Sequence, residues 1–271
     1  MNKSKIEWLN GGYTWNPVTG CLHNCKYCYA RRIARRFSGC YDPVSSQNIK
    51  QDETAIVRLE NNGHVKYKTR HGDIVNAPYP YGFAPTFHSY RLDDPTRIRK
   101  PQNIFVCSMA DLFGDWIPDT WIQEVFKACE AAPQHRYLFL TKNPRRYEDL
   151  YAKKAFPYSE NFWFGTTITV DDDYYTWFEN TPYKAFVSIE PIMADFGNGM
   201  FRGIDWVIVG AETGNRKEKV IPKAEWIDGI LESCYEQRIP LFMKDSLKGI
   251  CKEPLLQEFP WSLEFERAEG E

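Results

Sequence analysis

The sequence predicts an α/β protein folded as a partial (β/α) barrel of six to seven parallel strands, with an inserted β-hairpin and loop. Three observations carry that prediction. Short apolar runs rich in β-branched and aromatic residues recur along the chain. Stretches of helical spacing lie between several of them. Most of the runs are continuous rather than alternating in polarity, as strands buried on both faces should be. Strands that alternate with helices imply parallel pairing and right-handed crossovers. A doubly wound sheet is the second architecture compatible with this pattern. In either one, the chemistry belongs at the carboxyl ends of the strands.

The expected strands are 13–18, 103–107, 136–140, 162–168, 184–189, 205–209 and 239–243. Trp121, Ile122, Val125, Phe126 and Cys129 share one helical face, as do Trp226, Ile227, Ile230, Leu231 and Cys234. Pro118 and Pro222 suit the entries to those two helices. A third helix is expected over 29–37, and residues 1–271 are expected to form one domain.

The segment 40–100 interrupts this rhythm. Residues 55–59 and 64–68 flank Glu60-Asn61-Asn62-Gly63, and Asn-Gly between two such runs predicts a hairpin. The prolines and aromatics from Pro78 to Phe87 then predict an ordered loop beside the active face.

Charged residues make up 26% of the chain, which argues against disorder. No apolar run approaches the roughly 20 residues that cross a bilayer. The opening MNKSKIEWLNGG lacks the apolar core of a secretory signal, so a cytoplasmic protein without membrane association is expected. Net charge is −2, yet residues 1–110 carry 16 Lys and Arg against 8 Asp and Glu. That basic portion favours an anionic partner such as nucleic acid, with a solvated surface as the plain alternative.

Three of the eight cysteines crowd into Cys21-Leu22-His23-Asn24-Cys25-Lys26-Tyr27-Cys28. A chain of this length has no need of disulfide staples, and such crowding is typical of metal binding. Thiolates are the usual ligands of iron–sulfur clusters. Three of them on one loop can hold three corners of a [4Fe-4S] cluster and leave the fourth iron open to an exogenous ligand. A zinc site completed by His23 and an electron-transfer cluster completed by Cys40 or Cys107 are the alternatives.

The C-x3-C-x2-C spacing, with Tyr27 before the third cysteine, resembles the signature of the radical S-adenosylmethionine (SAM) superfamily. Further segments narrow the resemblance to a phage- and bacteria-borne group of largely unknown function that is distantly similar to spore photoproduct lyase. They are Ile6-Glu7-Trp8, Thr14 to Cys21, Cys28-Tyr29-Ala30, Pro85 to His88, Ser108 to Phe113, Leu140 to Pro144, Ser188 to Pro191 and Asp205 to Thr213. Many members of that group have a longer gap between the first two cysteines, whereas this chain has the compact spacing of mainstream radical SAM enzymes.

The resemblance implies a cluster on Cys21, Cys25 and Cys28 that cleaves SAM reductively. It also implies an electron donor such as a flavodoxin or ferredoxin. Tyr27 takes the aromatic position of the motif. Ser108 and Asp111 follow the second strand, where such enzymes hold the methionine ammonium, and Asp111 is the expected acceptor, with a turn-capping carboxylate as its plain reading. Thr167, beside Thr166 and Thr169, is expected at the SAM ribose or carboxylate. Lys142, Glu190, Glu212 and Lys244 each follow an apolar strand and suit the polar groups of SAM or substrate, with mutual ion pairing as the alternative. Gly210 is expected to let the adenine approach the backbone. Cys107 is the candidate hydrogen-atom donor, with a core cysteine as its plain reading. Arg31, Arg32, Arg35 and Arg36 are expected to form a basic helical face.

Overall fold

The structure is a computed structural model and describes residues 1–38, 56–62, 66–69, 71–175, 178, 180–197, 199, 201–260 and 263. The chain is mixed α/β, its strands mostly parallel, and it divides into two compact units. One comprises Met1–Asn2 and Tyr13–His135, the other Lys3–Gly12 and Arg136–Glu271. No helix among the described residues is long and apolar enough to cross a membrane.

A short strand β1 (Asn2–Lys3) opens the chain. In the first unit, β2 (Tyr13–Trp15) precedes β3 (Val18–Thr19), and the cysteine loop leads into α1 (Tyr29–Arg36). Next come β4 (Val57–Leu59), β5 (Lys66–Lys68), β6 (Ile74–Asn76), β7 (Thr86–His88), β8 (Asn103–Val106) and α2 (Asp119–Glu130). The expected strand 13–18 is thus two strands. Pro17 cannot donate to a ladder, and it separates β2, parallel to β8, from β3, antiparallel to β7. The carbonyl of Pro17 instead accepts from the His88 amide at 2.7 Å.

The insertion pairs differently from the expectation. β4 runs parallel to β7 with Val57 opposite Thr86, and the hairpin joins β5 to β6. Local Asn-Gly chemistry is outweighed here by a non-local partner, and a turn closed by Thr69 and Asp73 makes the hairpin. Gly63 and residues 39–55 lie outside the described residues.

On α2, Trp121, Ile122, Val125, Phe126 and Cys129 are all buried, as their spacing requires. Trp121 stacks on Phe87 with centroids 5.0 Å apart. Near the cysteine loop, the His88 ring is fully buried between the Thr19 hydroxyl and the Tyr90 hydroxyl, each at 2.9 Å. Burial, with a smaller contribution from Arg91, lowers its pKa from 6.5 to about 2. Because the folded value lies below the unfolded one, His88 favours the fold above pH 6.5, and that stability is lost as the pH falls. Urea unfolding at pH 5 is expected to show about 2 kcal/mol less stability than at pH 7 from this residue, a loss absent in His88→Gln.

The second unit is built on β9 (Arg136–Thr141), β10 (Phe162–Ile168), β11 (Lys184–Ile189), β12 (Trp206–Val209) and β13 (Leu241–Met243). Each strand pairs in parallel with the next, from Phe162 opposite Tyr137 through to Val209 opposite Met243. Two helices join this order, α3 (Arg145–Ala152) after β9 and α4 (Ala224–Gln237) after β12. Ile227, Ile230 and Cys234 of α4 pack on Val187, Val207 and Leu241 in one apolar core. The helix α3 went unanticipated because it buries only Tyr147 and Leu150, too few apolar positions to reveal a period.

Candidate functional site

The cysteine loop is fastened at its start by backbone contacts. The Gly20 amide donates to the Met109 carbonyl at 2.9 Å, and the Cys21 amide donates to the Phe83 carbonyl at 3.2 Å. Gly20 has φ +86°, and a Cβ there would stand 2.2 Å from the Ala84 carbonyl oxygen. Only glycine allows both the conformation and the approach. At the loop's end, Cys28 caps α1, its sulfur accepting from the Arg31 amide at 3.4 Å.

Cys21, Cys25 and Cys28 are half-buried, and all three are free thiols. Cys21 and Cys28 rest against an apolar group of Ala30, Ala34, Phe83 and Met109. Burial pushes the Cys21 thiol up to about 12, and the negative charge of Asp111 and the neighbouring Cys25 and Cys28 add to the shift. Thiols bind a metal once deprotonated, and this loop carries three of them. Among the described residues, no three His, Cys, Asp or Glu side chains are grouped so as to hold a metal ion. Tyr27 lies half-buried just before the third cysteine.

Asp111 reaches this loop, but by a route the sequence does not reveal. Its Oδ2 lies 2.7 Å from His23 Nε2, and its Oδ1 accepts the Phe113 amide at 3.0 Å. The carboxylate is 5% exposed, and the His23 ring stands edge-on to Trp116 with centroids 4.9 Å apart. Asp111 therefore holds His23, which lies between the first two cysteines. Sequence reasoning weighed His23 only as a zinc ligand. Asp111→Asn is expected to destabilise the fold by about 1.5–3 kcal/mol in urea titration, the range for a hydrogen bond to a charged group. Because Asp111 raises the Cys21 pKa, the same substitution should speed alkylation of Cys21 by iodoacetamide.

Ser108 is also engaged within the protein. Its hydroxyl donates to Asn16 Oδ1 at 3.2 Å, and its carbonyl accepts the Tyr29 hydroxyl at 2.9 Å. Asn16 Oδ1 takes the Met109 amide as well, at 2.8 Å. Arg31 reaches the Cys21 carbonyl at 3.3 Å and lies over the Phe83 ring. Asn16 and Arg31 are thus supports of the loop, and their partners are too distant in sequence to be read from a motif. Cys107 directly follows β8 at φ +61° and is 3% exposed. Burial pushes its thiol up to about 12, the state of a core cysteine. Cys40 lies outside the described residues.

The remaining candidates belong to the second unit. Glu190, after β11, forms an ion pair with Lys244, after β13. Glu212, 9% exposed, takes Arg216 through two bonds of 2.7 Å. Mutual pairing describes Glu190 and Lys244, whereas Glu212 pairs with Arg216, outside the set of Lys142, Glu190, Glu212 and Lys244, and both pairings lower the cost of charge at the strand ends. Lys142 and Thr167 are half-buried, Lys142 just past β9 and Thr167 within β10. Thr169 is committed to Asp173, which accepts its hydroxyl at 3.0 Å. A Cβ on Gly210 would lie 3.1 Å from the Lys244 Cδ and 3.2 Å from the Ser246 Oγ, so Gly210 makes room for those side chains.

A family model described as Protein of unknown function (DUF5131) matches residues 3–249, and the chain belongs to that family. No curated protein and no solved structure matches the chain.

Proposed function

We propose that this DUF5131 protein is a radical SAM enzyme, with Cys21, Cys25 and Cys28 holding a [4Fe-4S] cluster. The observation that carries the reading is the C-x3-C-x2-C spacing of three free thiols on one braced loop. A cluster held by Cys21, Cys25 and Cys28 would supply the electron for reductive cleavage of SAM to methionine and a 5′-deoxyadenosyl radical. The chain's own residues position the loop and keep one side of it dry. Gly20 and Cys21 tie the loop to the backbone of Met109 and Phe83, and Asp111 holds His23. Ala30, Ala34, Phe83 and Met109 cover Cys21 and Cys28 on the apolar side, and such burial is one determinant of a cluster's potential.

In this reading the parallel strands curve as a partial (β/α) barrel, and the enzyme is cytoplasmic and takes its electron from a carrier protein. Its substrate class is nucleic acid or nucleotide, supported by the basic first 110 residues. Anaerobic reconstitution is expected to yield about four irons with sulfide per chain, and reductant with SAM should then yield 5′-deoxyadenosine. About one zinc per chain, or a fully clustered protein that leaves SAM intact, would overturn it in favour of a metal-bearing nucleic-acid-binding module.

A further inference from the structure

The first turn of α1 carries an aromatic ring that is both fixed and exposed. The Tyr29 hydroxyl donates to the Ser108 carbonyl at 2.9 Å, a bond across 79 positions that holds the ring in place. Tyr29 is nevertheless 48% exposed. The inner side of the helix is seated, with Ala30 and Ala34 buried against Phe83 and Met109. Arg32, Ile33 and Arg36 continue from Tyr29 along one helical stripe, and all three are exposed. Lys26 before the helix and Arg35 within it are exposed as well. Arg31, by contrast, turns inward to the Cys21 carbonyl and the Phe83 ring. No Asp or Glu occurs in the sequence between Glu7 and Asp42, a span that carries five Lys and Arg. Among the described residues, Lys26, Arg32 and Arg36 have no acidic partner, and Arg36 lies over the Phe37 ring.

We infer that this outer face of α1 binds single-stranded nucleic acid, with a base stacked on Tyr29 and backbone phosphates held by Arg32 and Arg36. The inference deepens the substrate class proposed above, and it needs no metal on the cysteine loop. Unpaired strands are bound by a cationic surface that follows the backbone, together with aromatic rings on which bases stack. Both parts are present on this helix. A ring whose hydroxyl is already anchored gives up little freedom when a base covers it, so the stacking surface is preorganised. Ile33, one turn on from Tyr29, adds apolar surface next to the ring. Arginine suits the phosphates, since its planar fork can bond two of their oxygens at once. A duplex keeps its bases stacked on one another and has no use for the ring. A protein partner would need a broader apolar centre than one isoleucine among cations. Because Tyr29 directly follows Cys28, a base stacked there lies beside the end of the cysteine loop.

The test is fluorescence anisotropy of the full chain with a labelled single-stranded oligonucleotide and with an abasic strand of the same length. The parent is expected to bind the base-bearing strand about ten-fold more tightly than the abasic one, and Tyr29→Ala to lose that preference. Tyr29→Phe, which keeps the ring, should retain it. Arg32→Ala with Arg36→Ala should weaken both strands. It should also reduce the slope of log affinity against log salt by about 1.4, the value for two phosphate contacts on a single strand. Equal binding of the two strands by the parent would overturn the proposal, and that comparison needs no variant to fold. So would an unchanged salt slope in the folded double variant, or tighter binding of duplex than of single strand. Displacement of the strand by polyglutamate of matched charge as readily as by unlabelled strand would also overturn it, and would assign the face to an acidic protein. A chain that binds the strand in this way but never cleaves SAM would refute the function proposed above and leave this inference standing. A chain that cleaves SAM but does not bind the strand would refute this inference and leave the SAM chemistry standing.

Discussion

Replacing Cys25 by alanine is expected to leave the fold within about 0.5 kcal/mol of the parent, while abolishing cluster retention and all SAM cleavage. Cys25 is half-buried and lies outside the apolar group that holds Cys21 and Cys28, so its loss opens no core cavity. What it removes is one of the loop's three thiols. Among the described cysteines of the first unit, Cys107 and Cys129 are buried and offer no substitute. Iron and sulfide analysis after anaerobic reconstitution checks the first half, and chromatography for 5′-deoxyadenosine the second. A Cys25→Ala protein that keeps its full iron and its turnover would remove the basis for assigning this loop.

Gly20→Ala is expected to cost about 3 kcal/mol or more, large for a single methyl group. Two penalties combine. The backbone at φ +86° is disfavoured for any residue with a Cβ, and that Cβ would stand 2.2 Å from the Ala84 carbonyl oxygen. The neighbour is backbone and cannot rotate away, so the strand end or the 83–84 segment must move. Because the Cys21 amide is bonded to the Phe83 carbonyl, that movement displaces the first thiol. The urea midpoint should therefore drop together with iron uptake. A variant with parental stability would mean that the loop's approach to Ala84 is not required.

Much of this was legible in the sequence where the signal is local. The runs 162–168 and 184–189 are strands over those same residues, because parallel strands covered on both faces are continuously apolar. The buried face of α2 was readable from its period, and the start of α1 at Tyr29 from the end of the cysteine motif. Pairings across long separations were not readable. β4 finds β7 rather than its neighbour, Asp111 finds His23 across 88 positions, and Glu190 finds Lys244 across 54. The residue types announced charge at strand ends, but only the fold decides whether such a charge meets a ligand or another side chain. In the second unit three of those charges meet side chains, and in the first Asp111 does too.

That leaves the thiol loop as the feature on which the functional account depends, and its central claim is a corner of the cluster open to SAM. Electron paramagnetic resonance of the dithionite-reduced, reconstituted protein, recorded with and without SAM carrying ¹⁷O in its carboxylate, tests it most directly. The account predicts that SAM shifts the cluster signal and that the label broadens it, as direct ligation to one iron requires. A reduced cluster whose signal is the same with and without SAM would contradict it.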